Sequence, residues 1–256
     1  MTGRCGGAAT FGRLLFTGIC PRTCGFPWER DQPGVCEASE CAGGAPSGRD
    51  IEKDYAARVT VVAFEKVLRQ AWERTQMRLL AYVILPNHWH LVVWPERDRD
   101  LSTYAQWLTV THVRRWHAHH DTEGTGPVYQ GRFKSFPVQA DDHFFSLCRY
   151  VERNALRANL VPRAEHWRWS SLWHRCHASG VPWLHEWPLP VPERWLQHVN
   201  KAETESELAA LRRSVLRGAP YGDEVWQKLT AKALGLESAL RRPGRPRKEK
   251  GSPKKT

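Results

Sequence analysis

From Tyr55 onward the chain switches between a helical and a strand-like spacing of its apolar residues. Val59, Val62, Phe64, Val67, Leu68, Ala71 and Trp72 recur at helical spacing, which predicts a helix over 55–76. Met77–Pro86 is dense in Leu, Val, Ile and Tyr and reads as a strand; Pro86-Asn87 supplies a turn. His88–Trp94 is a second strand, stopped by Pro95. Leu101–His120 is a helix, Gly124–Pro127 a turn, and Val128–Gln139 a strand or bent ribbon. Asp141–Ala158 is a further helix, with Asp141 and Asp142 suited to its N-terminus. The order helix, strand, strand, helix, strand, helix predicts an α+β fold with a small antiparallel sheet.

The flanks differ. Residues 1–50 are rich in Gly and Cys and sustain neither period, so an atypical, disordered extension is expected, with Phe11–Cys20 as a short strand at most. Gly180–Pro192 is dense in Pro and Trp and reads as a connector. Beyond it the chain is helical to Leu240, with breaks at Gly218-Ala219-Pro220 and Gly235. The expected organisation is an extension over 1–50, a main domain over 51–178, a helical unit over 190–240 and a disordered basic tail over 241–256.

Composition narrows the function. No apolar run approaches the roughly 20 residues of a membrane helix, and no signal-peptide core precedes the fold, so a cytoplasmic protein with no membrane partner is expected. Seven cysteines, five of them before residue 42, argue against a disulfide scaffold. Cys20-x3-Cys24 and Cys36-x4-Cys41 admit a zinc reading, although structural zinc favours tighter knuckles. The net charge is +11, and Arg241–Thr256 carries eight Lys/Arg against one Glu. A nucleic acid is the simplest partner for such a charge; a solubilising tail is the plainer reading. Within the tail, Arg245 sits in a Gly-Arg-Pro core flanked by Arg247 and Lys248, of the kind that enters a narrow minor groove.

Two motifs carry chemistry. In Asn87-His88-Trp89-His90-Leu91-Val92-Val93, His88 and His90 share one face of a strand while Trp89, Leu91 and Val93 share the other. Two imidazoles on one face can hold a divalent ion, or they can be ordinary polar-face residues. Val92 occupies the position of the third histidine of the histidine-triad hydrolases, which sets that class aside. In Arg149-Tyr150-Val151-Glu152-Arg153-Asn154, the tyrosine and asparagine stand one helical turn apart. Asn154 offers an oxygen to Mg²⁺ or Mn²⁺, and Tyr150 a hydroxyl able to attack a metal-polarised phosphodiester. A buried Tyr beside a helical Asn is the structural alternative. Arg132, Lys134, Arg149, Arg153 and Arg157 are candidate DNA contacts. Trp89, Trp107, Trp116, Trp167 and Trp169 either stack on bases or, more simply, fill the core.

Together these motifs resemble a family. His88-Trp89-His90 resembles the His-hydrophobic-His motif of HUH nucleases. Gly131-Arg132-Phe133-Lys134, Tyr150–Ala158 and Trp167-Arg168-Trp169-Ser170-Ser171 are similar to the REP-associated single-tyrosine transposases. The resemblance covers about 55–175, and Gly218–Trp226, Leu234–Ser238 and Gly244–Lys248 resemble the C-terminal region of some members. It implies a ferredoxin-like α+β core, a metal held by His88, His90 and Asn154, and attack by Tyr150 on single-stranded or hairpin DNA. The product would be a 5′-phosphotyrosine and a free 3′-hydroxyl that can later rejoin DNA without ATP. The metal would be Mg or Mn, and the enzyme a monomer or homodimer. Two other readings are an inactive DNA-binding relative and a zinc-stabilised regulator. The resemblance also implies a strand just before the first helix. Residues 1–54 offer only Phe11–Phe16, a poor substitute, so the sheet is expected to lack that strand beside His88–Trp94.

Overall fold

The strand expected to be missing is present, and it is central. In the computed structural model, which describes residues 13–19, 48–129, 131, 133–177 and 180–241, β1 spans Arg13–Ile19. It is followed by α1 (Gly48–Thr75), β2 (Arg78–Ile84), β3 (His88–Trp94), α2 (Asp100–His120) and β4 (Lys134–Val138). The sheet order is β2-β3-β1-β4, with every neighbouring pair antiparallel. This strand order, with its helical crossovers, is the ferredoxin-like arrangement. β1 pairs with β3 from Leu14↔Val93 to Ile19↔His88 and with β4 from Arg13↔Val138 to Thr17↔Lys134. β3 is therefore an inner strand. The expectation of an exposed edge beside the histidines is corrected, and part of the stretch assigned to an extension belongs to the sheet.

The C-terminal half follows as α3 (Asp142–Glu152), α4 (Asn154–Arg157), α5 (Ser171–His177), α6 (Trp195–Asn200), α7 (Glu205–Arg217), α8 (Glu224–Leu234) and α9 (Glu237–Leu240). The sheet separates two cores. Trp89, Leu91 and Val93 face Phe64, Val67 and Leu68 of α1 and Tyr104 and Leu108 of α2. Val92 and Phe136 face the other way, onto Phe144, Leu147 and Val151 of α3 and Trp195, Val199 and Leu211 of the later helices. The period of two along β3 thus aims His88 and His90 at the α3 side.

Three predicted elements differ in extent. The first helix begins at Gly48, ahead of Tyr55. The ribbon over 128–139 contracts to a five-residue strand, because Val128 and Tyr129 turn away to pack on Trp116. The helix predicted over 141–158 starts with Asp141 accepting from the His143 amide, as its sequence suggested, but is interrupted at Arg153.

Both sheet edges are covered. Along β2, the Ile84 amide donates to Trp169 O and the His185 amide to Leu79 O. Along β4, the Tyr221 amide donates to Pro137 O and the Gln139 amide to Tyr221 O. These short pairings close edges that would otherwise template aggregation. A register shift between Leu79 and Ala81 bulges β2, and Leu80 O there accepts from Trp187 Nε1 and Arg175 Nη2, both at 2.7 Å.

Candidate active site

His88 and His90 stand on the same face of β3 with ring centroids 5.1 Å apart, edge to face. α3 crosses that face. Its apolar stripe, Phe144, Leu147, Cys148 and Val151, is buried in the core, which fixes the helix rotation and leaves Tyr150 half-buried toward the histidines. The Tyr150 ring lies 5.6 Å from that of His90. One turn on, Asn154 opens α4, is buried, and hydrogen-bonds the side chain of His88. The four residues singled out from sequence are thus brought together from three elements, β3 lying more than fifty positions before α3 and α4.

The electrostatics suit a cation ligand set. Burial pushes the His88 imidazole down to about 4; the Asn154 hydrogen bond opposes this and the Arg157 cation adds to it. His90 is driven well below its ordinary range by burial, then by His88 and Arg157. Both rings are therefore neutral at pH 7, the form that binds metals. His88 Nδ1 lies 2.7 Å from Asn87 Oδ1, a contact that orients the ring from behind. His90 Nδ1 is buried without a hydrogen-bond partner. An orphaned nitrogen beside a second imidazole and an amide oxygen fits a divalent cation. Among the described residues no group of three His, Cys, Asp or Glu is placed to hold a metal. The cysteines of 20–41 lie outside them, as do Arg132, Arg245, Arg247 and Lys248.

The arginines are put to a different use from the one expected. Arg149 is buried; its Nη2 donates to Lys201 O at 2.8 Å and Ala202 O at 2.7 Å, and its Nη1 pairs with Glu207 at 3.3 Å. Arg153 donates to Val199 O and Asn200 O and pairs with Glu203. These two side chains satisfy the carbonyls at the end of α6, where a helix leaves acceptors unpaired. The fold engages both side chains in contacts that the sequence reading did not foresee. Arg157 pairs with Glu203 and lies over the Tyr150 ring, 4.1 Å from its centroid. Lys134 is exposed at the start of β4. Trp89 and Trp116 are core residues, and Trp167 is half-buried, donating to Ile84 O.

Sequence reasoning passed over Glu152. It is fully buried, accepting from Ser171 Oγ at 2.6 Å and Trp195 Nε1 at 2.8 Å, with Arg175 4.0 Å away. Burial raises its carboxyl above the usual range, against the pull of Arg175 and both donors. This carboxyl ties the end of α3 to α5 and α6, and so steadies the turn that carries Tyr150. Asn87, beside the histidine motif, was the one omitted neighbour with a visible signal.

The α+β domain sets a two-histidine strand against a tyrosine-bearing helix, and this segment is similar to known proteins. Residues 53–154 match the model of the IS200-like transposases, a segment that holds both histidines, Tyr150 and Asn154. A solved REP-associated tyrosine transposase bound to a REP hairpin is similar over 80% of this chain and 93% of its own, at 16% identity and a TM-score of 0.43. No curated protein matches the chain in sequence.

Proposed function

We propose that this protein is a metal-dependent transposase that cleaves and rejoins single-stranded or hairpin DNA through Tyr150. The observation that carries the reading is the meeting of Tyr150 with His90, ring centroids 5.6 Å apart, beside the His88–Asn154 pair. The Tyr150 oxygen attacks the phosphorus of a phosphodiester and gives up its proton to solvent. The bond from phosphorus to the 3′ oxygen breaks, and that oxygen takes up a proton as a 3′-hydroxyl. A 5′-phosphotyrosine remains, and the reverse attack by a 3′-hydroxyl rejoins DNA with no outside energy source. His88, His90 and Asn154 would hold Mg²⁺ or Mn²⁺, which supplies Lewis-acid polarisation of the phosphate when bound. The residues present favour this: neutral imidazoles, an unpartnered ring nitrogen and a hard amide oxygen. Asn87 fixes the His88 ring, and the buried Glu152 fixes the helix turn. Arg132, Lys134, Arg157 and the basic tail are the proposed DNA contacts, with Arg149 and Arg153 already engaged by the fold. Work in the cytoplasm, as monomer or homodimer, completes the reading.

The test is covalent trapping. Purified protein is mixed with labelled single-stranded hairpins from the DNA flanking its own gene, with Mn²⁺, and run on a denaturing gel. A protein–DNA adduct is expected from the native chain, with none from Tyr150→Phe, from His88→Ala or after EDTA. An adduct that survives Tyr150→Phe overturns the assignment of the nucleophile. Hairpin binding with no adduct from the native chain identifies a relative that keeps only the DNA-binding role.

A further inference from the structure

Arg149, Arg153 and Arg157 stand at successive four-residue steps and reach into residues 199–207. The first two grip backbone carbonyls. The third differs: its partner in that segment is the Glu203 carboxylate, and its guanidinium lies on the Tyr150 ring. Glu203 joins α6 to α7, yet its side chain is only 4% exposed, with Oε1 3.0 Å from Arg157 Nη1 and Oε2 3.0 Å from Arg153 Nε. A carboxylate this buried has to be compensated, and two guanidinium groups do so. Arg157 in turn sits where a long cation has reason to leave. Two imidazoles lie nearby, and a bound dication would repel it. Glu203 offsets that repulsion and fixes the guanidinium in place.

We infer that Glu203 is a positioning residue of the active site, holding Arg157 against Tyr150 so that the catalytic centre on the sheet is completed from the C-terminal helices. The inference rests on Tyr150 being the nucleophile. A cation on the face of a phenol is attracted more strongly as the oxygen takes on negative charge, which happens during cleavage and again when tyrosine leaves during rejoining. An interaction stronger in the transition state than in the ground state raises the rate and not merely the affinity. The guanidinium carries five donors, and Glu203 engages it at Nη1, so others remain for a phosphate oxygen.

The test is single-turnover adduct formation at saturating labelled hairpin with Mn²⁺. Glu203→Gln is expected to slow the rate constant roughly tenfold. Its final adduct yield and hairpin Kd are expected within about twofold of the native values, since a group acting in the transition state leaves ground-state binding alone. Arg157→Gln is expected to be at least as slow, and the double variant no slower than Arg157→Gln, because the two residues act as one unit. An unchanged rate overturns the inference. So does a lower yield at unchanged rate, which marks a purely structural residue, and so does a faster rate, which marks a carboxylate competing with DNA. If Glu203→Gln does not fold, a native rate in Arg157→Gln overturns the inference and a slowed one supports it. No adduct from the native chain overturns the tyrosine mechanism itself, whereas a native adduct indifferent to both variants overturns this inference alone.

Discussion

His112 shows what one buried imidazole does to the stability of this fold. It is 5% exposed, packed edge-on against Phe64, with Nδ1 2.7 Å from the Tyr129 hydroxyl. Burial lowers it from 6.5 to about 4. Between those values the unfolded chain takes up a proton that the folded chain refuses. Stability therefore falls as pH drops through this window, and the loss is complete below about 4. The shift corresponds to about 3 kcal/mol. His112→Phe removes this contribution, so the stability gap between native and variant is expected to close by about 3 kcal/mol from pH 7 to pH 4, read by urea unfolding. A gap that stays constant with pH would assign the acid sensitivity to other groups, such as His88 and His90. At this scale the sequence was legible where chemistry follows a local period. Two histidines on one strand face and Tyr150 with Asn154 on one helix face needed only spacings of two and four. The contacts that the arginines make within the fold are not legible for the complementary reason. Their charge is visible in the sequence, but the carbonyls that Arg149 binds lie 52 and 53 residues further on.

The link between α3 and the segment after α6 is the element-scale counterpart. Arg149→Ala strips a charged donor from Lys201 O and Ala202 O and leaves Glu207 without its ion pair. Hydrogen bonds to charged groups and the desolvation of orphaned acceptors set the cost at about 3 kcal/mol. Arg212, exposed on α7, is the control: its replacement by Ala is expected to change stability by no more than about 0.5 kcal/mol. Denaturant midpoints at unchanged m-value check both, and equal effects would mean that Arg149 does not fasten the segment. β1 shows why a strand can hide. Leu14, Leu15 and Phe16 form a run without polar alternation, as a strand paired on both sides does, and such a run is ambiguous by periodicity alone. Residues 20–47 also separate it from α1, while the family pattern looks for a strand immediately before the helix. The break at Arg153 was equally invisible, because nothing local separates a bent helix from a straight one there; its cause lies in contacts to Val199, Asn200 and Glu203.

Across the whole molecule, the sequence suggests a main domain and a separate helical unit divided near residue 180, whereas packing joins them. The Pro- and Trp-rich stretch read as a connector is a structural cover: His185 pairs with the β2 edge, and Trp187 packs edge to face against Phe144 at 5.4 Å and Trp195 at 5.0 Å. Val199, Leu211 and Tyr221 belong to the same apolar cluster as Val92, Phe136 and Leu147. Composition marks Pro and Trp as punctuation, but a tryptophan ring in such a stretch carries more apolar area than most helical residues. A chain ending at Pro190 tests the difference. It loses Trp195 from the buried Glu152, the acceptors of Arg149 and Arg153, and the Tyr221 pairing that closes the β4 edge. Arg149 and Arg153 would then lose their partners and Glu152 one of its two donors, beside an open strand, and removing one partner of a buried ionic contact alone costs about 3–5 kcal/mol. That is the scale of a whole domain's net stability. The shortened chain is expected to elute as aggregate or expanded monomer, with its near-ultraviolet circular dichroism lost. A monomer that melts cooperatively would instead establish residues 190–240 as an independent unit. The sheet-bearing domain would then need those helices for the proposed chemistry, through Glu203, and not for its fold.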